Sequence, residues 1–399
     1  VYGRNFYPQQ MDVDQLTHVH YAFFDVTSQC AVASIDEYAD FQLVQEAAGR
    51  TVRGNLAAFH AIREQQATKG KELKLDISLG GWTKSTHFSG CVSNAAGRRA
   101  IIESAVALLQ RTEFDGLDID WEYPVCCGLS SNEVRPDDWA NYVLLLREMR
   151  AELDQSFPGA HKELTIAMGM NPRVTGVAPK AELGGILDAV NLMTYDYNGA
   201  WSSLTAHNAP LYADPTYEEA GGDPAFNIDW GVRQWLLAVP ASKLVLGLAG
   251  YGRGWVGTTE EYAQGTGGVG GSPPWYERGL LSYWDIAENY VGKDGAGKNG
   301  YTRHWNSRSQ VPYLSGAGSF ISYDDEESIA IKARYAKSLS LAGVMWWEAS
   351  EDRESLLVVA ANRAWAAGAS TAQPAAPPPP SLPSPPPPSL PVAPPPPSL

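Results

Sequence analysis

Apolar residues recur along the chain in two rhythms. Short runs rich in Val, Ile, Leu and Phe stand at 17–26, 73–82, 114–124, 164–170, 189–199, 244–253 and 342–349. Their length and β-branched content predict strands, several of them buried on both faces. Between them apolar residues return every three or four positions, the spacing of an amphipathic helix. The segment 99–111 aligns Ile102, Val106 and Leu109, and 138–153 aligns Tyr142, Leu145 and Met149. The segment 328–339 aligns Ile329, Ala333 and Ala336 behind an acidic start at 324–327, which suits a helix N-terminus. Strand followed by helix, six times over, predicts parallel βα units closing into a (β/α)8 barrel. The strand count is seven, and the first run begins too early for another strand and crossover to precede it.

Two stretches break the rhythm. About 70 residues rich in Gly, Tyr and Trp lie between Arg253 and Asp324, far longer than an ordinary βα connection. They predict an α+β subdomain inserted over 254–315, with the barrel made of 1–253 and 316–372. From Pro374 to Leu399 the chain holds 15 of its 28 prolines. That segment, part of a tail running from 373 to 399, lacks the donors and apolar mass for a core. It reads as an extended polyproline spacer or a linker.

One strand carries unusual chemistry. In the run Asp115-Gly116-Leu117-Asp118-Ile119-Asp120-Trp121-Glu122, strict alternation puts Asp118, Asp120 and Glu122 on one face and Leu117, Ile119 and Trp121 on the other. In a barrel the apolar set packs under helices and the carboxylates point inward. Three acids on a buried face are costly unless they share protons, accept hydrogen bonds or meet a cation. A solvated edge strand conflicts with the flanking Ile and Trp. A calcium loop would need a different ligand spacing and a central Gly. A graded acid–base relay, with Glu122 nearest the mouth, fits the pattern.

Charge and composition narrow the class further. Lys and Arg total 30 against 45 Asp and Glu, a net charge of −15, which argues against a nucleic-acid binder. No run of 18 apolar residues marks a membrane span. Thirteen tryptophans suit either an aromatic-rich core or platforms for a neutral polar ligand. The chain starts at Val1 without a signal peptide and reads as a mature or clipped form.

The sequence DGLDIDWEYP at 115–124 resembles the DxxDxDxE strand of glycoside hydrolase family 18, the chitinases. Ser78-Leu79-Gly80-Gly81-Trp82 resembles the SxGG motif of its third barrel strand. Met193-Thr194-Tyr195-Asp196 resembles MxYD of the sixth, Tyr251-Gly252-Arg253 resembles YGR of the seventh, and Met345-Trp346-Trp347-Glu348 resembles the eighth. The likeness runs from about Tyr2 to Trp365. In the family a Gly-Tyr strand precedes the YGRNF-like stretch that starts here at Tyr2. The resemblance therefore implies a barrel lacking its first strand and the aromatic that strand brings to the sugar site.

What the resemblance implies for chemistry is specific. The chain would hydrolyse β-1,4 bonds of chitin or N-acetylglucosamine oligomers with net retention. Asp120 and Glu122, about 6.6 Å apart along one strand and pointing the same way, cannot flank a sugar from opposite faces. The sugar's own acetamido carbonyl would attack the anomeric carbon, an intramolecular step with an effective molarity of roughly 10⁵ M or more. Glu122 would be the general acid and then base, and Asp120 would orient the acetamido N–H. Asp118 would share a proton with Asp120, and Tyr195 would hydrogen-bond the acetamido oxygen. Trp347 would floor the site, and Met193 would face the lumen beside Tyr195. Alternation turns Asp196 outward unless the strand end bends. Tyr251 and Arg253 would hold sugar hydroxyls, an ion pair being the alternative for Arg253. Trp82, Trp201 and Phe23 would be stacking platforms, and Asp115, out of phase, a structural residue. No cofactor or metal is called for, and a monomer is expected.

Cys30, Cys91, Cys126 and Cys127 would fall on adjacent loops at one mouth, with Cys91 joined to one of the adjacent pair and Cys30 to the other. Disulfides imply an oxidising compartment and hence secretion. Two rival readings use the same barrel. One is an endo-β-N-acetylglucosaminidase acting on N-glycans. The other is a non-catalytic chitin lectin, a class that typically loses the terminal acid, which here is Glu122.

Overall fold

The computed structural model describes residues 2–274, 276–292 and 295–368. The proline-rich segment lies outside the described residues. The central sheet contains seven parallel strands: β1 (His18–Val26), β3 (Lys74–Gly80), β4 (Gly116–Asp120), β5 (Glu163–Gly169), β6 (Ala189–Met193), β7 (Leu244–Ala249) and β13 (Gly343–Trp347). A short strand, β2 (Val32–Ser34), adds antiparallel to β1, so the order is β13-β7-β6-β5-β4-β3-β1-β2. The sheet curls as a barrel but does not close. Among the described residues no strand joins β13 to β1.

The outward faces of these strands form the core with helices α1 (Asn55–Thr68), α2 (Ala95–Thr112), α3 (Asp138–Ser156), α4 (Ile228–Leu236), α5 (Glu326–Ser338) and α6 (Leu356–Ala367). The three stretches predicted as helices from apolar spacing correspond to α2, α3 and α5. Two of them are capped by side chains: Asn94 accepts from the Gly97 N–H at 2.9 Å at the start of α2, and Asp325 accepts from Glu327 and Ser328 at 3.1 Å at the start of α5. Trp121 shows how the alternation of β4 is used. Its ring stacks on Phe88 at 5.4 Å and meets the edge of Tyr142 at 5.2 Å, while the Tyr142 hydroxyl donates to the Ile119 carbonyl. Truncating so large a buried ring costs about 3–5 kcal/mol.

Three strands, β4, β6 and β7, end four or more residues before their apolar runs. β4 stops at Asp120 because the Glu122 N–H leaves the ladder for the Ser85 hydroxyl at 2.8 Å. β6 stops at Met193, where Thr194 turns its hydroxyl to the Gly247 carbonyl and Asp196 takes a left-handed φ of 57°. The run at 244–253 divides at Gly250, whose N–H donates to the Trp347 carbonyl. Beyond it β8 (Tyr251–Val256) enters a second sheet with β9 (Leu280–Ser282), β10 (Tyr301–Asn306), β11 (Val311–Gly316) and β12 (Ser319–Ser322). All its pairs are antiparallel, in the order β9-β8-β12-β11-β10. It spans the 70-residue interval that the sequence marks as too long for a loop.

The cysteine pairing differs from expectation. Cys30 bonds Cys91, with Cα atoms 5.3 Å apart, and Cys126 bonds Cys127. β1 and β3 are neighbours, so the turn at 27–31 meets the short helix Phe88–Val92 that carries Cys91. That contact brings Cys30, not either member of the adjacent pair, to the Cys91 sulfur.

Candidate active site

The three acids lie on β4 and just beyond its C-terminal end, the end at which βα loops of a barrel build its site. The lumen face of β4 rises from Asp118 through Asp120 to Glu122, all three buried. Asp118 is an acceptor on both oxygens. Oδ2 accepts from Ser78 at 2.9 Å, and Oδ1 accepts from Thr165 at 2.6 Å and Asn191 at 3.2 Å. These donors come from β3, β5 and β6, so three neighbouring strands hold one carboxylate. Asp120 has a buried Oδ1 with no donor, and burial, Glu122 and Asp118 push its pKa well up. Burial thus holds Asp120 toward its neutral form, whereas three donors converge on Asp118.

Glu122 is fixed through its backbone. Its N–H donates to Ser85, and its carbonyl accepts from Asn132 at 3.0 Å. A Cβ on Gly128 would come within 2.1 Å of that carbonyl oxygen, so only glycine fits the loop there. Burial pushes the Glu122 carboxyl up to about 7; a hydrogen bond from Tyr123 opposes this and the charge of Asp196 adds to it. A carboxyl poised near neutrality has the property required of a general acid that must also serve as a base.

Tyr195 borders the same space, edge-on to Tyr251 at 6.1 Å between centroids. The left-handed turn at Asp196 brings its carboxylate to Arg253, whose Nε donates at 2.8 Å. The bend that alternation required for Asp196 is thus present. Arg253 adopts the ion-pair alternative and also lies over the rings of Trp201 and Tyr251, at 5.0 and 5.1 Å. Trp347 stacks on Phe23 at 5.4 Å across the open seam between β13 and β1 and keeps 39% of its surface exposed. Trp82 and Trp201 are exposed at 45% and 63%, while Met193 is buried. Asp115 stands apart, accepting from Arg63 and from the Leu75 N–H, both at 2.9 Å.

Comparison with known proteins gives the chain a family. The family model for glycosyl hydrolases family 18 matches residues 1–352. The chain belongs to that family. It is 38% identical to chitinase A1 of Niallia circulans, over 89% of this chain and 56% of that protein. It is 34% identical to chitinase 1 of Aphanocladium album, over 89% of this chain and 80% of that one. Thus the chain spans little more than half the length of the first relative. The solved catalytic domain of psychrophilic chitinase B from Arthrobacter TAD20 superposes with a TM-score of 0.82 at 28% identity, covering 92% of this chain and 93% of that one. The Ostrinia furnacalis Group IV chitinase in complex with allosamidin gives 0.79 at 26%, covering 92% and 96%.

In this family 18 chain, sequence reasoning passed over several groups that hold the acids. Ser85, Thr165, Asn191 and Asn132 carry no motif of their own. They sit on other strands and loops, and only the sheet order brings them to β4. Tyr123 was passed over because alternation turns it away from Glu122; the end of the strand at Asp120 cancels that alternation. Gly169 makes room for that ring, since a Cβ there would come within 2.5 Å of it.

Proposed function

We propose that this chain cleaves β-1,4 bonds between N-acetylglucosamine units of chitin and its oligomers, retaining the configuration at the anomeric carbon. One arrangement carries the reading: a ladder of buried carboxylates ending in an acid that burial pushes up to about 7, with exposed tryptophans at or after the ends of neighbouring strands. Glu122 gives its proton to the glycosidic oxygen and leaves as a carboxylate able to activate water. Asp120, beside it, orients the acetamido group, whose carbonyl oxygen closes on the anomeric carbon. Tyr195 steadies that oxygen from the facing strand end. Trp347, stacked on Phe23, supplies an apolar face for the sugar ring, and Trp82 and Trp201 extend the groove. Tyr251 and the Asp196–Arg253 pair present donors and charge to sugar hydroxyls. The four proteins compared above are chitinases by name, which supports the substrate class, and the paired cysteines favour an extracellular protein.

The presence of Glu122 favours an enzyme over a lectin. Incubating wild type and Glu122→Gln with chitohexaose, with product anomers read by NMR, tests both readings. Wild type should release β-anomers initially, and the variant should lose at least 1,000-fold in rate while still binding allosamidin. Equal hydrolysis by both proteins would refute the role given to Glu122, and binding without hydrolysis by either would favour the lectin.

A further inference from the structure

Below Asp118 the sheet holds four ionisable groups that the proposed reaction does not use, His18, His20, Asp76 and Glu163. On β1 the residues His18, His20 and Ala22 face inward, and His20 pairs in register with Asp76 of β3. The His20 ring lies between two carboxylates, with Nε2 3.9 Å from Asp76 Oδ2 and Nδ1 4.0 Å from Asp118 Oδ1. Its Nδ1 is buried without a partner, and so are both oxygens of Asp76. Nearer the far rim, His18 Nε2 stands 3.3 Å from Glu163 Oε2 of β5. Asp76, Asp118, His18 and Glu163 are the charged or titratable neighbours acting on the His20 ring.

Three buried, unsatisfied polar atoms in one line conflict with the rule that such atoms find partners. A small movement of the ring satisfies two of them, Nδ1 and one oxygen of Asp76. The protonated carboxyl of Asp76 then donates to Nε2, and the Nδ1–H donates to Asp118 Oδ1. Burial acts in the same direction, holding Asp76 well up toward its neutral form and the imidazole down toward its neutral form. Asp118 would accept four donors rather than three, which sets it apart from Asp120, whose Oδ1 has none.

We propose that His20 is a positioning residue for the catalytic acids, joining Asp118 to Asp76 in one hydrogen-bonded line and so fixing which member of the Asp118–Asp120 pair holds their common proton. The role rests on the function assigned to that pair above. It differs from a packing role, because a histidine that only filled space would leave the proton balance of the acids unchanged.

Two measurements test this on the full chain. In the first, the His20 ring is followed by NMR against pH in wild type and Asp118→Asn, which needs no turnover. Removing the facing charge should lower the His20 midpoint by at least half a pH unit. In the second, kcat and KM on a chitooligosaccharide are measured against pH for His20→Phe and His20→Gln. His20→Phe should lose about tenfold in kcat with KM within twofold, and its acid limb should move by half a unit or more. His20→Gln, which keeps one donor toward Asp118, should recover kcat to within threefold. A His20 midpoint indifferent to Asp118→Asn, or a pH profile of His20→Phe that superposes on wild type, would overturn the inference. Should wild type prove inactive on every chitooligosaccharide, the functional reading fails, and the NMR titration still decides whether His20 and Asp118 are linked.

Discussion

Replacing Glu122 by Gln should make the protein more stable at high pH and leave it unchanged at low pH. In the unfolded chain the Glu122 carboxyl titrates near 4.5, while in the fold burial raises it to about 7. At roughly 1.36 kcal/mol per pH unit, that difference amounts to about 3 kcal/mol. The sign follows from proton linkage. Between the two values the folded state holds a proton that the unfolded state has released, so stability falls as pH rises through this window. Below pH 4.5 both states are protonated and the fold retains the full contribution; above about 7 it is lost. Gln keeps the shape and cannot ionise. Urea unfolding of wild type and Glu122→Gln at pH 4, 5.5, 7 and 8.5 reads the effect directly. The stability difference should be near zero at pH 4 and grow to about 3 kcal/mol in favour of the variant by pH 8.5. A difference that stays flat across this range would show that the carboxyl is not held neutral by its surroundings. The assignment of Glu122 as a proton donor near neutrality would fall with it.

The same carboxyl predicts that kcat/KM declines as pH rises past about 7, because the acid form of Glu122 disappears; a rate that climbs steadily to pH 9 would contradict this. Ser85→Ala removes the buried hydroxyl that accepts from the Glu122 N–H and donates to the Gly81 carbonyl. It should cost about 1–3 kcal/mol in chemical denaturation and lower kcat more than it raises KM. The two disulfides should behave differently. Cys30–Cys91 spans a sequence separation of 61, so replacing both residues by Ala should lower stability by about 4 kcal/mol on loop entropy. Cys126–Cys127 closes no loop beyond its own peptide bond, so its replacement should change unfolding far less, as differential scanning calorimetry would show. Trp347→Ala removes the exposed ring stacked on Phe23 and should weaken oligosaccharide binding about tenfold in calorimetry, with the fold intact by circular dichroism.

The sequence by itself determined the parallel strands, the helices between them and the ladder Asp118–Asp120–Glu122. These follow from local periodicity: alternation on a strand assigns each side chain to a face without reference to the rest of the chain. Strand ends were not set by that rule. β4 stops short of its apolar run because Ser85, remote in sequence, captures the Glu122 N–H, and β6 ends where the Thr194 N–H turns back to the Leu192 carbonyl while its hydroxyl reaches the remote Gly247 carbonyl. The consequence is chemical, since the turn at Asp196 faces Arg253 only after β6 has ended. Cysteine pairing was likewise decided by which loops are neighbours in space. Donors to Asp118 come from three different strands, and His20 reaches it from a fourth. A carboxylate's identity and direction are local properties, whereas its protonation depends on every group within a few ångströms, and only the folded sheet assembles those groups.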